Sequence, residues 1–95
     1  MKIIVVAHRN KGHPPEDFAP HLQAEVKKAL SLVAEDFIRE IYSRADGNGA
    51  VLVVEATNEA EARQRLDELP LAQNGLLTFD IYPVGPYRGI VAAAG

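Results

Sequence analysis

The stretch Phe37–Ala56, with the sequence FIREIYSRADGNGAVLVVEA, decides the fold of this chain. Its first half carries aromatic and β-branched residues, which suit a half-buried strand. Ala50–Val54 is an apolar run whose length and branching favour a buried strand over a helix. Between the two halves, Asp46–Gly49 supplies residues that tolerate a positive φ. The stretch therefore predicts a β-hairpin.

The polar residues of this hairpin predict a polar row on one face of a sheet. Because side chains alternate across a strand, Glu40, Tyr42 and Arg44 share one face. Ile38 belongs to the same face by this count. A carboxylate, a phenol and a guanidinium in one row form either an ordinary solvated face or the wall of a polar-lined cavity.

Two further strands are predicted outside the hairpin. Lys2–His8 is apolar on both faces, which is typical of a central strand. Leu77–Val84 alternates in polarity and directs Asp80 and Tyr82 to one face, which matches the polar row of the hairpin. Pro83 suits an edge strand, because proline cannot donate to the ladder of hydrogen bonds.

Two helices are predicted, one on each side of the hairpin. Pro20 does not suit a helix interior, so Glu16–Ala19 is expected to form a separate turn before the main helix. Apolar residues recur in this region at helical spacing: Phe18, Leu22, Val26, Ala29, Leu30 and Val33. Thr57 or Asn58 caps the second helix, and Pro70 is expected to stop it.

A basic loop and an irregular tail complete the prediction. The loop Arg9–Pro15 is either simply solvated or holds an anionic ligand. Residues Gly85–Gly95 are expected to be irregular. Their apolar end would be unusual in water, and we expect it to rest on a partner subunit.

The order of elements predicts an α+β fold in a single domain of residues 1–95. It is the ferredoxin-like βαββαβ plait, with a four-stranded antiparallel sheet and two helices on one face. The open face would expose Ile4, Val6 and Tyr42 together with Ile38, more apolar surface than a monomer usually shows. Packing two open faces together would cover it. We therefore expect a homodimer, with stacking into larger rings as a further arrangement.

Composition excludes several classes of function. The chain is 47% hydrophobic and 24% charged, with a net charge of −3 and its ten basic residues dispersed, so nucleic acid is not an expected partner. Cysteine is absent, which excludes disulfides and thiolate chemistry. Ile3–Ala7 is too short for a signal peptide and no segment suits a membrane span, so a cytoplasmic location is expected. The three histidines lack metal-ligand spacing, so no metal is expected.

Three motifs carry a resemblance to a known superfamily. They are Pro20-His21-Leu22 at the first helix, Leu69–Leu76 (LPLAQNGL) before the last strand, and Gly85-Pro86-Tyr87 near the end. With these motifs and the strand layout, nearly all of the chain resembles the dimeric α+β barrel superfamily, specifically its muconolactone isomerase-like and YciI-like members.

The resemblance implies cofactor-free proton transfer. Muconolactone isomerases shift a proton within an unsaturated lactone without metal or organic cofactor, using a glutamate on the first helix. In ungapped register that position is Val26 here, with Glu25 adjacent, which departs from the pattern. YciI-like proteins carry a histidine that matches His21, with an aspartate beside it whose nearest match is Asp46.

The first functional hypothesis is a cofactor-free isomerase or lyase that acts on a small carboxylated ring or enol. The candidate catalytic residues are His21, Glu40 and Asp80, with His21 expected at the mouth of a cavity. The candidate substrate-binding residues are His8, Tyr42, Arg44 and Tyr82. Two alternatives stay open: a non-catalytic binding or assembly module in which the polar row sets dimer register, and a barrel-type monooxygenase, either haem-dependent or cofactor-free.

Overall fold

The four predicted strands form one antiparallel sheet. A computed structural model describes residues 1–94, with strands β1 (Lys2–Arg9), β2 (Ile38–Ser43), β3 (Gly49–Glu55) and β4 (Leu77–Val84). Their order across the sheet is β2-β3-β1-β4, and every neighbouring pair is antiparallel. This is the predicted ferredoxin-like plait, with the two most apolar strands, β1 and β3, at its centre.

Within residues 1–94, five helices and one 3₁₀ turn accompany the sheet. The helices are α1 (Pro15–Phe18), α2 (Leu22–Ala34), α3 (Glu59–Leu66), α4 (Pro70–Gln73) and α5 (Arg88–Ala94), and the 3₁₀ turn is Ala19–His21. The separate turn expected before the main helix is confirmed, because Pro20 lies in the 3₁₀ turn. The cap on α3 is Asn58, whose side chain accepts a hydrogen bond of 2.8 Å from the Glu61 N–H. None of the helices in residues 1–94 is long and apolar enough to cross a membrane.

Two predicted chain segments differ from the structure. Pro70 does not stop the second helix, since α3 already ends at Leu66, and Pro70 instead begins α4. Proline suits a first helical turn, where its missing N–H would have no partner. The segment predicted to be irregular forms α5 over Arg88–Ala94, in line with the high helix propensity of its alanines. Gly95 lies outside the described residues.

The main core lies between the helices and one face of the sheet. Ile3 and Val5 of β1, with Val54 of β3, are fully buried there. Leu32 of α2 and Leu66 of α3 pack against them from the helical layer. A second, smaller cluster joins α1, α4 and the start of β4 through Phe18, Leu71 and Leu76.

A β-bulge in β2 changes which face one residue occupies. Ile38 pairs with Val54, whereas Glu40 pairs with the adjacent Val53, so Arg39 is an extra residue in the ladder. The extra residue turns Ile38 into the core, where it is 1% exposed. The prediction that Ile38 shares the open face with Glu40 is therefore wrong, because strict alternation fails across a bulge.

The other sheet face carries the polar row where the sequence predicts it. Glu40 and Tyr42 lie opposite Val53 and Val51, on the face away from the core. Asp80 and Tyr82 lie opposite Val6 and Ile4 on the same face. Tyr42 and Tyr82 are more than half exposed, since helices α1–α4 pack on the other side.

Candidate functional site

Polar side chains converge at one end of the sheet, where β1 ends and β3 and β4 begin. Gly49 makes this convergence possible, because β3 starts pressed against β1. A Cβ at Gly49 would lie 1.9 Å from the carbonyl oxygen of Ala7, so only glycine fits there. The close approach brings the hairpin turn beside His8 and Arg9.

His8 sits at the centre of a hydrogen-bonded group on the open face, which we call the open-face cluster: His8, Arg44, Asp46 and Asp80. Nε2 of His8 lies 2.8 Å from Oδ2 of Asp80, and Nδ1 lies 2.7 Å from Nη1 of Arg44. A guanidinium can only donate, so Nδ1 must accept and Nε2 must carry the proton. Both ring nitrogens of His8 are therefore occupied.

Arg44 also ties the hairpin turn to this cluster. Its Nη2 pairs with Asp46, whose other carboxylate oxygen accepts a hydrogen bond of 2.9 Å from the Asn48 N–H. These two interactions, the Asn48 N–H foremost, lower the pKa of Asp46 below its usual range. Asp46 is thus an ionised partner of Arg44.

Glu40 and Tyr42 form a second pair on the open face. The Tyr42 hydroxyl donates a hydrogen bond of 2.6 Å to Oε1 of Glu40. This bond to the carboxylate raises the pKa of Tyr42 above its ordinary value, so the phenol keeps its proton. Tyr82 lies on the same face and forms no side-chain hydrogen bond within residues 1–94.

A cavity of about 520 Å³ lies between α2 and the core-side face of the sheet. We call it the sheet–helix cavity. Most of its lining is apolar, and the residues include Leu22, Val26, Ile41, Leu71 and Phe79. Its charged lining residues are Glu25, Arg9 and Arg44. Its volume falls within the roughly 300–1,000 Å³ that is typical of small-molecule sites.

Glu25 places a carboxyl group in this cavity. Its Oε1 accepts a hydrogen bond of 2.9 Å from the backbone N–H of Leu71, at the start of α4. Its Oε2 has no hydrogen-bond partner in the described part of the chain and is accessible to solvent. Burial raises the pKa of Glu25, and this effect exceeds the opposing effects of the Leu71 N–H and the nearby charge of His21.

His21 ends the 3₁₀ turn on the helical side of the sheet, one helical turn before Glu25. It is partly exposed, and its charge lowers the pKa of Glu25. Glu40 and Asp80 lie on the opposite sheet face. The structure therefore divides the candidate residues into an open-face group and a helical-side group.

Sequence reasoning did not place Glu25 among the candidate catalytic residues. The superfamily register drew attention to Val26, yet Val26 is 59% exposed while the adjacent Glu25 carboxyl is held by Leu71. The available signal was the spacing of His21 and Glu25, which places the two ionisable groups on one helical face.

Comparison with known proteins identifies fold relatives among the solved structures. No protein-family model matches the chain, and no curated protein matches it. A solved structure of 5-chloro-2-hydroxyhydroquinone dehydrochlorinase (TftG) from Burkholderia phenoliruptrix AC1100, in complex with 2,5-dihydroxybenzoquinone, aligns with a TM-score of 0.71. The alignment covers 94% of this chain and 98% of the dehydrochlorinase chain, at 14% identity. The two chains share one fold.

This likeness confirms the predicted α+β plait. It does not distinguish a muconolactone isomerase-like subtype. At 14% identity, the dehydrochlorinase establishes the fold of this chain and leaves its chemistry to the residues of the site.

In the described residues, each histidine that contacts a carboxylate contacts only one. His8 lies beside Asp80, and His13 lies 3.1 Å from Asp17. Among residues 1–94, no group of three or more histidine, aspartate or glutamate side chains is placed to hold a metal ion. A protein metal site usually needs at least three such ligands.

Proposed function

We propose that this protein is a cofactor-independent enzyme that binds a small oxygenated ring in the sheet–helix cavity and transfers a proton through Glu25. One observation carries the proposal: Glu25 lines a mostly apolar cavity, its pKa is raised, and its carboxyl group has one oxygen held by the Leu71 N–H and one without a hydrogen-bond partner in the described residues. A general acid–base residue works best when its pKa approaches the working pH, and burial moves Glu25 in that direction.

The arrangement suits an isomerisation of a conjugated carbonyl compound. The Glu25 carboxylate removes a proton from a carbon next to a carbonyl group, which leaves an enolate. The same carboxyl group then returns the proton to another carbon of the conjugated system, so atoms and electrons balance without an external oxidant. Arg9 and Arg44 line the same cavity and would stabilise the enolate oxygen or a carboxylate substituent.

Ring size and polarity define the substrate class. An apolar lining with a few charged groups accommodates a flat ring that carries oxygen substituents. The dehydrochlorinase that shares this fold is complexed with such a compound, 2,5-dihydroxybenzoquinone. An unsaturated lactone, the substrate type of muconolactone isomerases, belongs to the same size class.

The open-face residues have a different proposed role. His8, Glu40 and Asp80 already accept or donate hydrogen bonds within the chain, so they are less available as bases. The same face exposes Tyr42 and Tyr82 beside the half-buried residues Ile4, Val6, Val51 and Val53. We propose that a second copy of the chain packs on this face, with the polar row setting its register.

A binding experiment tests the site. We would titrate the protein with 2,5-dihydroxybenzoquinone and follow its absorbance. Ala50→Leu adds volume to the cavity lining, and we expect it to weaken binding by about tenfold or more. Val51→Leu is the matched control, because Val51 is the next residue and faces the other side of the sheet. Equal binding by the two variants would contradict the proposed site.

A further inference from the structure

A second cavity of about 380 Å³ opens at the same end of the sheet. Its lining consists of His8, Arg9, Asn10, Lys11, Arg44 and Asn48. Three of the ten basic residues of a chain with net charge −3 thus meet here, and the lining contains no carboxylate. We propose that this cationic cavity is a binding site for a small oxyanion, separate from the sheet–helix cavity.

The backbone around the cationic cavity is fixed by hydrogen bonds. The Arg9 N–H donates to the Asn48 carbonyl at 2.8 Å, and the Asn10 N–H donates to the Leu76 carbonyl at 2.9 Å. The Asn10 side-chain amide also donates to the Gly75 carbonyl at 2.8 Å. These contacts anchor the basic loop to the hairpin turn and to the segment before β4. A site with walls fixed in advance loses less entropy when it binds a ligand.

Two cations of this cavity are not neutralised by the protein. Arg9 and Lys11 form no ion pair within residues 1–94. The Arg9 guanidinium carbon lies 4.8 Å from the centroid of the Phe18 ring. Stacking on an aromatic face orients a guanidinium and leaves the N–H groups along its edge available. Arg44 differs, because Asp46 and His8 already engage it.

This combination recognises the chemistry of an oxyanion. A guanidinium edge presents parallel N–H donors that match two oxygens of a carboxylate or phosphate, and an ammonium group adds a point charge. A neutral ligand would gain none of these charge-assisted bonds. The shared ligand chemistry is therefore a carboxylate or a phosphate group, and two probe anions can distinguish them.

The inference goes beyond the proposed proton-transfer function and can be tested apart from it. Arg9 and Arg44 line both cavities, whereas Lys11 lines the cationic cavity and Glu25 lines the sheet–helix cavity. Lys11→Ala should therefore weaken oxyanion binding and leave binding of the quinone probe unchanged. Glu25→Gln should leave oxyanion binding unchanged. The Lys11 variant therefore tests the oxyanion site, the Glu25 variant tests the proton-transfer site, and either proposal can fail without the other.

The experiment is a titration with inorganic phosphate, and separately with acetate, at constant ionic strength set by sodium chloride. Amide chemical shifts of Asn10, Lys11 and Asn48 report binding. We expect saturable phosphate shifts and about tenfold weaker binding by Lys11→Ala, the effect of losing one charge-assisted contact. Lys27→Ala is the control, because Lys27 is an exposed lysine of α2 without an ion pair in the described residues.

The outcomes separate the two ligand types. Tighter binding of phosphate than of acetate supports a phosphate-type ligand, and comparable binding supports a carboxylate-type ligand. Absence of saturable shifts with both anions would overturn the proposal. Equal weakening by Lys11→Ala and Lys27→Ala would also overturn it, because it would indicate general charge attraction.

Discussion

The two faces of the sheet hold their carboxyl groups in different surroundings. On the open face, Asp46, Asp80 and Glu40 each engage a hydrogen-bond partner from a nearby side chain. On the helical side, Glu25 accepts a hydrogen bond from one backbone N–H, and its partial burial is the largest influence on its pKa. A row of polar residues is therefore not in itself a reactive site. A carboxyl group whose pKa is raised by partial burial is the better indicator.

The pKa values of the carboxyl groups also differ between the two faces. The Asn48 N–H and Arg44 lower the pKa of Asp46, whereas burial raises the pKa of Glu25. A carboxyl group whose charge is stabilised from two sides is a weak base, and one whose charge is disfavoured is a stronger base. Glu25 is thus the stronger candidate for accepting a proton from carbon.

The largest expected effect is the loss of proton-transfer rate when Glu25, rather than a residue of the open-face cluster, is substituted. Glu25→Gln keeps the shape of the side chain and an acceptor for Leu71 but removes the titratable carboxyl group that accepts and returns the proton. We expect it to slow proton transfer by roughly 10²–10⁴-fold. The measurement is deuterium incorporation from heavy water into a β,γ-unsaturated lactone such as α-angelica lactone, followed by proton NMR.

Asp80→Asn is the matched control for that measurement. Asp80 is the open-face carboxylate beside His8, and its loss should change the exchange rate by less than about threefold. If instead Asp80→Asn abolished exchange while Glu25→Gln did not, the reactive group would lie on the open face. Binding of ring compounds without exchange in the unchanged protein would favour the non-catalytic module.

The second prediction concerns the proposed packing of two chains through their open sheet faces. Val53 is half-buried on the open face, and a lysine there can extend to water in a monomer but would lie unpaired between two packed sheets. Val53→Lys should therefore weaken dimerisation by on the order of 100-fold, measured by light scattering across a concentration series. Val26→Lys tests the other exposed apolar surface, on α2, and should leave the dimer intact. A stable monomer in the unchanged protein at micromolar concentration would contradict this arrangement.

Local sequence patterns predict much of this fold. The bounds of β4, Leu77–Val84, and the open-face positions of Tyr42 and Asp80 follow from alternation along single strands. The β-bulge at Arg39 does not follow, because an extra residue in a ladder depends on the partner strand. It moves Ile38 into the core without any local signal.

The candidate site is less predictable for the same reason. Whether Glu25 is reactive depends on the Leu71 N–H, which comes from 46 residues further along the chain. Burial of the carboxyl group depends on how α2 and α4 pack on the sheet. Sequence spacing places Glu25 near His21 but contains neither of these long-range contacts.

The smallest expected effect is on the pH dependence of stability. The pKa of Glu25 is raised in the folded chain above the unfolded value of 4.5, so its contribution to stability is complete below that value and is lost as pH rises through the folded pKa. Glu25→Gln does not titrate. Its stability relative to the unchanged protein should therefore be more favourable at about pH 7 than at about pH 4, as chemical denaturation would measure. A stability difference that is independent of pH would show that burial does not shift this carboxyl group.

The most direct test of the Glu25 assignment is a carbon NMR titration of the side-chain carboxyl groups. We predict that Glu25 titrates above its ordinary pKa and Asp46 below its own, and that His21→Ala raises the pKa of Glu25 further by removing a nearby positive charge. Addition of a ring ligand should shift the Glu25 signal and leave that of Asp46 in place. A Glu25 carboxyl group that titrates at or below its ordinary pKa, with no response to a bound ring, would contradict the account.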